Sequence, residues 1–118
     1  MGDRLQEKTS TLIRSEAVNK KINNEKQSKH IKDNAGYIQG RSYLLPGIDP
    51  QNLINDYHGT GESWHSKDGI WKNKETICVN DNIGVNVDPL TSKETATNRF
   101  TIHYSKTGSH IVPSERID

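Results

Sequence analysis

A chain of 118 residues with a single cysteine, Cys78, holds no internal disulfide and no cysteine-rich zinc module. Taken alone, Cys78 is expected as a small hydrophobe on a strand from Glu75 to Val79 and not as a catalytic thiol. Aromatics are scarce at 6%, and Leu, Ile, Val and Phe together make 24 of the 118 residues. That is close to the level of about 20% below which highly charged chains stay disordered, but a net charge of +1 meets only half of that signature. No apolar run approaches the ~20 residues of a membrane span. The opening Met-Gly-Asp-Arg-Leu-Gln lacks the apolar region of a secretory signal and carries Gln6 where a myristoylation motif needs Ser or Thr. One domain with a thin core is therefore expected, too small to enclose a large cofactor, and no cofactor is called for.

Charge is unevenly placed. Residues 1–34 carry 8 basic and 5 acidic side chains, residues 35–90 carry 4 and 7, and residues 91–118 carry 4 and 3. Brought together in space, the two basic ends would make a modestly cationic face suited to a phosphate-bearing ligand.

The local pattern predicts helices first and strands afterwards. Leu5, Leu12, Ile13, Ala17, Val18 and Ile22 recur at helical spacing, with Asn23 and Asn24 as the stop. A short helix is expected to open at Asp49-Pro50, carry Leu53, Ile54 and Tyr57, and end at Gly59, with an extended piece at Tyr43 to Leu45 before it. Residues 59–69 read as a mobile loop, with Trp64 and Trp71 flanking the turn signal Asp68-Gly69; their rings could stack on bases but more often cover a thin core. Glu75 to Val79, Ile83 to Val87, Asn98 to Tyr104 and Ser109 to Val112 read as strands, with Phe100, Ile102 and Tyr104 on one face and Thr101 and His103 on the other. Together these predict an α+β fold, N-terminal helices packed on a four-stranded antiparallel sheet.

The chain has no phosphate-binding glycine loop, no His-Glu-x-x-His, no calcium loop and no nucleophile elbow. It offers His, Lys, Arg, Ser and Thr in two clusters, Gln27 to His30 and Thr95 to His110. Cleaving RNA without a metal needs a base for the 2′-hydroxyl, an acid for the departing 5′-oxygen, and cations or hydroxyl donors for the charge growing on the phosphate. Histidine suits the first two roles because it titrates near working pH. Arg99 could grip a phosphate bidentately, with Lys29 or Lys106 as point charges. Metal-dependent DNA cleavage would instead call for clustered carboxylates or histidines at ligand spacing, and acidic residues are sparse in both clusters. His58 and His65, in the glycine-rich region, read as structural. Each histidine has a structural alternative, and Thr-rich strands follow from β-propensity alone. A DNA-cleaving domain, or a non-catalytic structural module of a phage or surface protein, therefore stands beside the ribonuclease reading.

Several short motifs in fixed order narrow this. They are Lys26-Gln27-Ser28-Lys29-His30-Ile31, Gly40-Arg41-Ser42, Asp49-Pro50-Gln51-Asn52-Leu53-Ile54 and Gly59-Thr60-Gly61, then Ile83-Gly84-Val85-Asn86-Val87-Asp88, Thr97-Asn98-Arg99-Phe100, Ile102-His103-Tyr104-Ser105-Lys106 and Gly108-Ser109-His110-Ile111-Val112-Pro113. Over about residues 25–114 the chain resembles the bacterial polymorphic toxin type 50 domain. The resemblance implies a metal-independent endoribonuclease of the barnase, EndoU, colicin and RelE-like group, leaving a 2′,3′-cyclic phosphate. It implies a toxic tip on a larger secreted or phage-associated polypeptide, used in interbacterial competition in the cytoplasm of a target bacterium, and a cognate immunity protein, expected to be acidic. It further implies a toxin nuclease domain over residues 25–118, with residues 1–24 outside the resemblance as a helical linker or an N-terminal helix. By position it implies His30 and His110 as the acid/base pair, with Arg99, Ser105 and Lys106 at the phosphate. Lys29, Gln27, Thr101 and Tyr104 would stand behind them on the substrate, and no metal is implied.

Overall fold

The structure, a computed structural model, describes residues 4–117. Helix α1, Arg4–Arg14, starts with Glu7 in its first turn and Arg14 in its last, both favourable to the helix dipole. It stops eight residues before the expected Ile22. The Ser15 hydroxyl turns back to the Leu12 carbonyl at 2.6 Å, and the Lys20 ammonium takes the carbonyls of Ile13, Ser15 and Val18 at 2.8, 2.7 and 3.0 Å. The lysine thus satisfies one carbonyl of the last turn and two of the chain that leaves it, while Ser15 satisfies the carbonyl of Leu12. Asn23 opens a second helix instead of closing the first. Its side chain accepts from the Lys26 amide and caps α2, Asn24–Ser28. Helix α3, Pro50–Tyr57, has the expected Asp49 cap and proline at its first turn, and puts Leu53 and Ile54 in the core.

Among the described residues seven strands follow or interleave: β1 Tyr43–Leu44, β2 Glu62–His65, β3 Trp71–Cys78, β4 Gly84–Val87, β5 Glu94–Thr97, β6 Arg99–His103 and β7 His110–Ser114. They form two antiparallel sheets, one of three strands in the order β1-β4-β5 and one of four in the order β2-β3-β6-β7. This overturns the predicted fold class. The domain is mostly sheet, in two sheets with a few short helices, and not N-terminal helices laid on a single four-stranded sheet. Two strands went unforeseen. β5 reads Glu94-Thr95-Ala96-Thr97, exposed but for its last residue, so it carries no alternation of apolar side chains. β2 lies in the segment read as a loop.

The outer edge of β2 is paired by a side chain. The Gln6 amide of α1 accepts from the Ser63 N–H at 2.8 Å and donates to the Ser63 carbonyl at 2.8 Å. At the opposite edge Gln27 of α2 does the same for β7, accepting from the Ile111 N–H at 2.7 Å and donating to its carbonyl at 2.9 Å. Each glutamine copies the hydrogen bonds of a neighbouring strand and closes an edge that would otherwise recruit other chains. The first two helices therefore sit at the sheet's two edges.

Phe100, Ile102 and Tyr104 do share the inner face, with Ile77 and Ile111 beside them and Ile13, Leu44, Leu53, Ile54 and Ile83 closing the core. Burying each large side chain contributes roughly 1.5–3 kcal/mol. The small sheet meets the large one along β7. A Cβ on Gly84 would stand 2.7 Å from both the Pro113 ring and the Tyr43 carbonyl, so only glycine lets β1, β4 and β7 approach this closely. Cys78 lies on β3 as expected, yet its side chain is exposed.

Candidate active site

The outer face of the large sheet carries the odd-numbered residues of β6 and the even-numbered ones of β3 and β7. The register sets Lys74 beside His103 and His103 beside His110. The His103 and His110 rings stack with centroids 4.7 Å apart and planes 23° from parallel. His30 continues the stack across the sheet edge, 5.8 Å from His110 and 13° from parallel.

Gln27 explains how a residue on the first third of the chain reaches this stack. Its clamp on Ile111 fixes α2 against β7, and His30, one helical turn on, then falls over His110. The backbone of His30 is held as well, with its N–H on the Gln27 carbonyl and its own carbonyl accepting from Leu44 of β1, both at 2.9 Å. The His30 ring Nδ1 lies 2.9 Å from the Ser42 carbonyl. A carbonyl can only accept, so Nδ1 carries the proton and Nε2 keeps a free lone pair. In His110, Nδ1 is buried without a partner. An unpaired buried N–H is rarer in proteins than an unpaired acceptor, so the ring proton of His110 belongs on Nε2.

All three rings are held neutral. Burial lowers His103 to about 4, helped by the positive charge of Lys74 and by His30. Burial likewise lowers His110 to about 4, with His103, His30, Lys26 and Lys29 adding to the effect. His30 is lowered by burial, against its hydrogen bond to Ser42 and with the charges of Arg41 and Lys29. The groups that repel a proton from the stack are thus Lys26, Lys29, Arg41 and Lys74, the setting in which a phosphate binds best. The rings are nearly parallel, so their in-plane lone pairs do not converge on one point. Among the described residues no group of three His, Cys, Asp or Glu side chains is placed to hold a metal ion.

The other expected site residues fall in three groups. Lys29 is exposed beside the stack, and Ser105 accepts from the Lys26 ammonium at 3.3 Å within the turn before β7. The Lys106 side chain is exposed on the same turn, while its carbonyl accepts from Asn19 at 3.1 Å. Arg99 is on the histidine face but four residues away along β6, about 13 Å at the usual rise, and it donates to the Glu115 carbonyl at 3.2 Å. Thr101 lies between them, buried, in a hydroxyl chain with Thr76 at 3.0 Å and Ser114 at 2.7 Å. Gln27 has both ends of its amide engaged by Ile111, and Tyr104 points to the opposite face, its hydroxyl donating to the buried Glu75 at 2.7 Å.

Sequence reasoning left out Lys26, Arg41 and Lys74, which lie on α2, a loop and β3 and converge only in space. It left His103 undecided, although the alternation of β6 put that residue on the face opposite the core. His58 and His65 are engaged structurally, with the Ile54 carbonyl and the Thr9 hydroxyl, each at 2.7 Å.

No helix among the described residues is long and apolar enough to cross a membrane. No curated protein matches the chain. The family model described as bacterial toxin 50 matches residues 22–113, which includes all three stacked histidines and the lysines and arginine around them, and the chain belongs to that family of bacterial toxin domains.

Proposed function

We propose that this toxin domain is an endoribonuclease that cuts RNA by attack of the 2′-hydroxyl, without a metal, leaving a 2′,3′-cyclic phosphate. The observation that carries the reading is the stack of His30, His110 and His103 inside a ring of lysine and arginine charge. His30 acts as base: its Nε2 lone pair takes the 2′-hydroxyl proton while Ser42 steadies the other nitrogen. The 2′-oxygen bonds to phosphorus, the bond from phosphorus to the 5′-oxygen breaks, and the 5′-oxygen takes a proton from His110. His110, neutral at rest, first takes up a second proton from solvent, a charge that the negative phosphate stabilises, and returns to neutral when it gives one to the 5′-oxygen, with His103 stacked behind it. Lys26 and Lys29 meet the charge growing on the phosphate oxygens, with Ser105 and Lys106 on the adjacent turn and Arg99 placed for a phosphate farther along the strand.

As a toxin, the domain would be carried on a larger secreted or phage-associated polypeptide, would act in the cytoplasm of a target bacterium, and would be neutralised by an acidic immunity protein covering the cationic face. In this reading residues 25–118 carry the nuclease site, and α1 completes the same fold through Ile13 in the core and Gln6 on the edge of β2.

His30→Ala and His110→Ala should each lower cleavage of a defined RNA by about a hundredfold or more, the size expected for a lost general acid or base, with folding checked by thermal melting. The wild-type reaction should persist in EDTA and yield 2′,3′-cyclic ends. Full activity in both variants, or a chelator-sensitive loss of DNA with RNA spared, would refute the assignment.

A further inference from the structure

We propose that Trp64, together with Lys74, is a platform on which a base of single-stranded RNA stacks beside the histidine site. The inference rests on the ribonuclease reading for its choice of ligand, but the platform itself is argued from the sheet.

The two tryptophans part company in the structure. Trp71 packs on Tyr104 with ring centroids 5.5 Å apart and donates to the Lys74 carbonyl at 3.1 Å, so it closes the end of the core. Trp64 is 41% exposed, the one aromatic ring among the seven large apolar side chains that are exposed in the described residues, and its neighbours on β2 and β3 set it on the histidine face. Its indole N–H donates to the Thr76 hydroxyl at 2.8 Å, and Thr76 continues through Thr101 to Ser114 across all four strands. An exposed ring held this way is preorganised, so little rotamer freedom is lost when something lies on it.

Lys74 joins the platform to the stack. Its ammonium lies over one face of the Trp64 ring, 4.9 Å from the ring centre, its neighbour in register is His103, and its charge is felt there. Across the sheet the outer face therefore reads indole, ammonium, imidazole, imidazole, imidazole. Trp64 and His103 are separated by two strand spacings, about 10 Å, near enough for a nucleotide joined to the phosphate at the stack to lay its base on the indole. An exposed ring with a cation held over one face is the kind of partner a single-stranded nucleic acid uses, its base taking the other face, and a paired helix would hold its bases out of reach.

The test is the affinity of the full chain for a short fluorescent single-stranded RNA with 2′-O-methyl riboses, which binds but cannot be cut, read by polarisation for wild type, Trp64→Ala, Trp64→Leu and Trp64→Phe, each with a thermal midpoint. Trp64→Ala and Trp64→Leu should bind about 5- to 150-fold more weakly, the loss of one base stack, and Trp64→Phe should stay within about threefold. Should the alanine variant not fold, the leucine and phenylalanine pair decides. Wild-type affinity in the leucine variant, equal losses in leucine and phenylalanine, or no binding by wild type would overturn the platform. So would a Trp64→Ala variant that escapes an acidic neutralising protein while keeping its RNA affinity, since that assigns the face to a protein partner. Wild type that binds this RNA through Trp64 but leaves unmodified RNA uncut would sink the ribonuclease reading and leave the platform standing.

Discussion

Acidification should unfold this domain through its own histidine stack. His103 and His110 titrate near 6.5 in an unfolded chain and about 4 in the folded one. Between those values the unfolded chain binds protons that the folded domain refuses. Stability is therefore complete above pH 6.5 and falls as the pH drops towards 4. One such ring costs about 3 kcal/mol across that interval, at about 1.4 kcal/mol per tenfold change in proton affinity. The second ring adds to this, since the two ring centres lie 4.7 Å apart and a charge on His110 would face one on His103 as well as those of Lys26 and Lys29. A domain of this size has on the order of 5–15 kcal/mol in all. Urea unfolding at pH 7.5, 6, 5 and 4 should show the midpoint falling steeply for wild type. In the double variant His103→Gln, His110→Gln the fall should be shallower by at least about 3 kcal/mol, since only carboxylates and the remaining histidines then titrate. Parallel pH profiles for the two proteins would refute the reasoning, because they would mean the rings are as ready to be charged in the fold as in water.

Two further substitutions probe what holds the site. Gln27→Ala leaves the N–H and carbonyl of Ile111 unpaired and should cost about 2–4 kcal/mol in urea unfolding, with cleavage reduced as His30 loses its anchor; a change under about 0.5 kcal/mol would show that β7 does not need this clamp. Glu75, fully buried, accepts from the amides of Gly59 and Gly61 at 3.0 and 2.8 Å and from Tyr104 at 2.7 Å. Glu75→Gln turns an N–H₂ towards those donors and should lower stability by about 2–4 kcal/mol, against about 1 kcal/mol for Tyr104→Phe, and thermal melts that reverse this order would contradict the role given to the carboxylate.

What could be read along the chain was what neighbours within a few residues decide. The Asp49-Pro50 start of α3, the inner face of Phe100, Ile102 and Tyr104, and most of the strands of the last third depend on caps, turns and alternation, and these appear in the structure within a few residues of where they were expected. The motifs likewise pointed to the toxin family that the match over residues 22–113 establishes. The sheet arrangement was decided elsewhere. Nothing local says that Gln6 and Gln27 will stand in for strands at the two edges, that β5 will pair with β4, or that a lysine will end α1, because each of those contacts joins groups whose polarity alone is visible in sequence. The same holds for the site. His30 and His110 were visible as residues able to take and give a proton, but their separation by 80 positions leaves their geometry to β7 and the Gln27 clamp. Only the tertiary structure brings His103 between Lys74 and His110, and only there do burial and converging positive charge make three ordinary imidazoles hard to protonate.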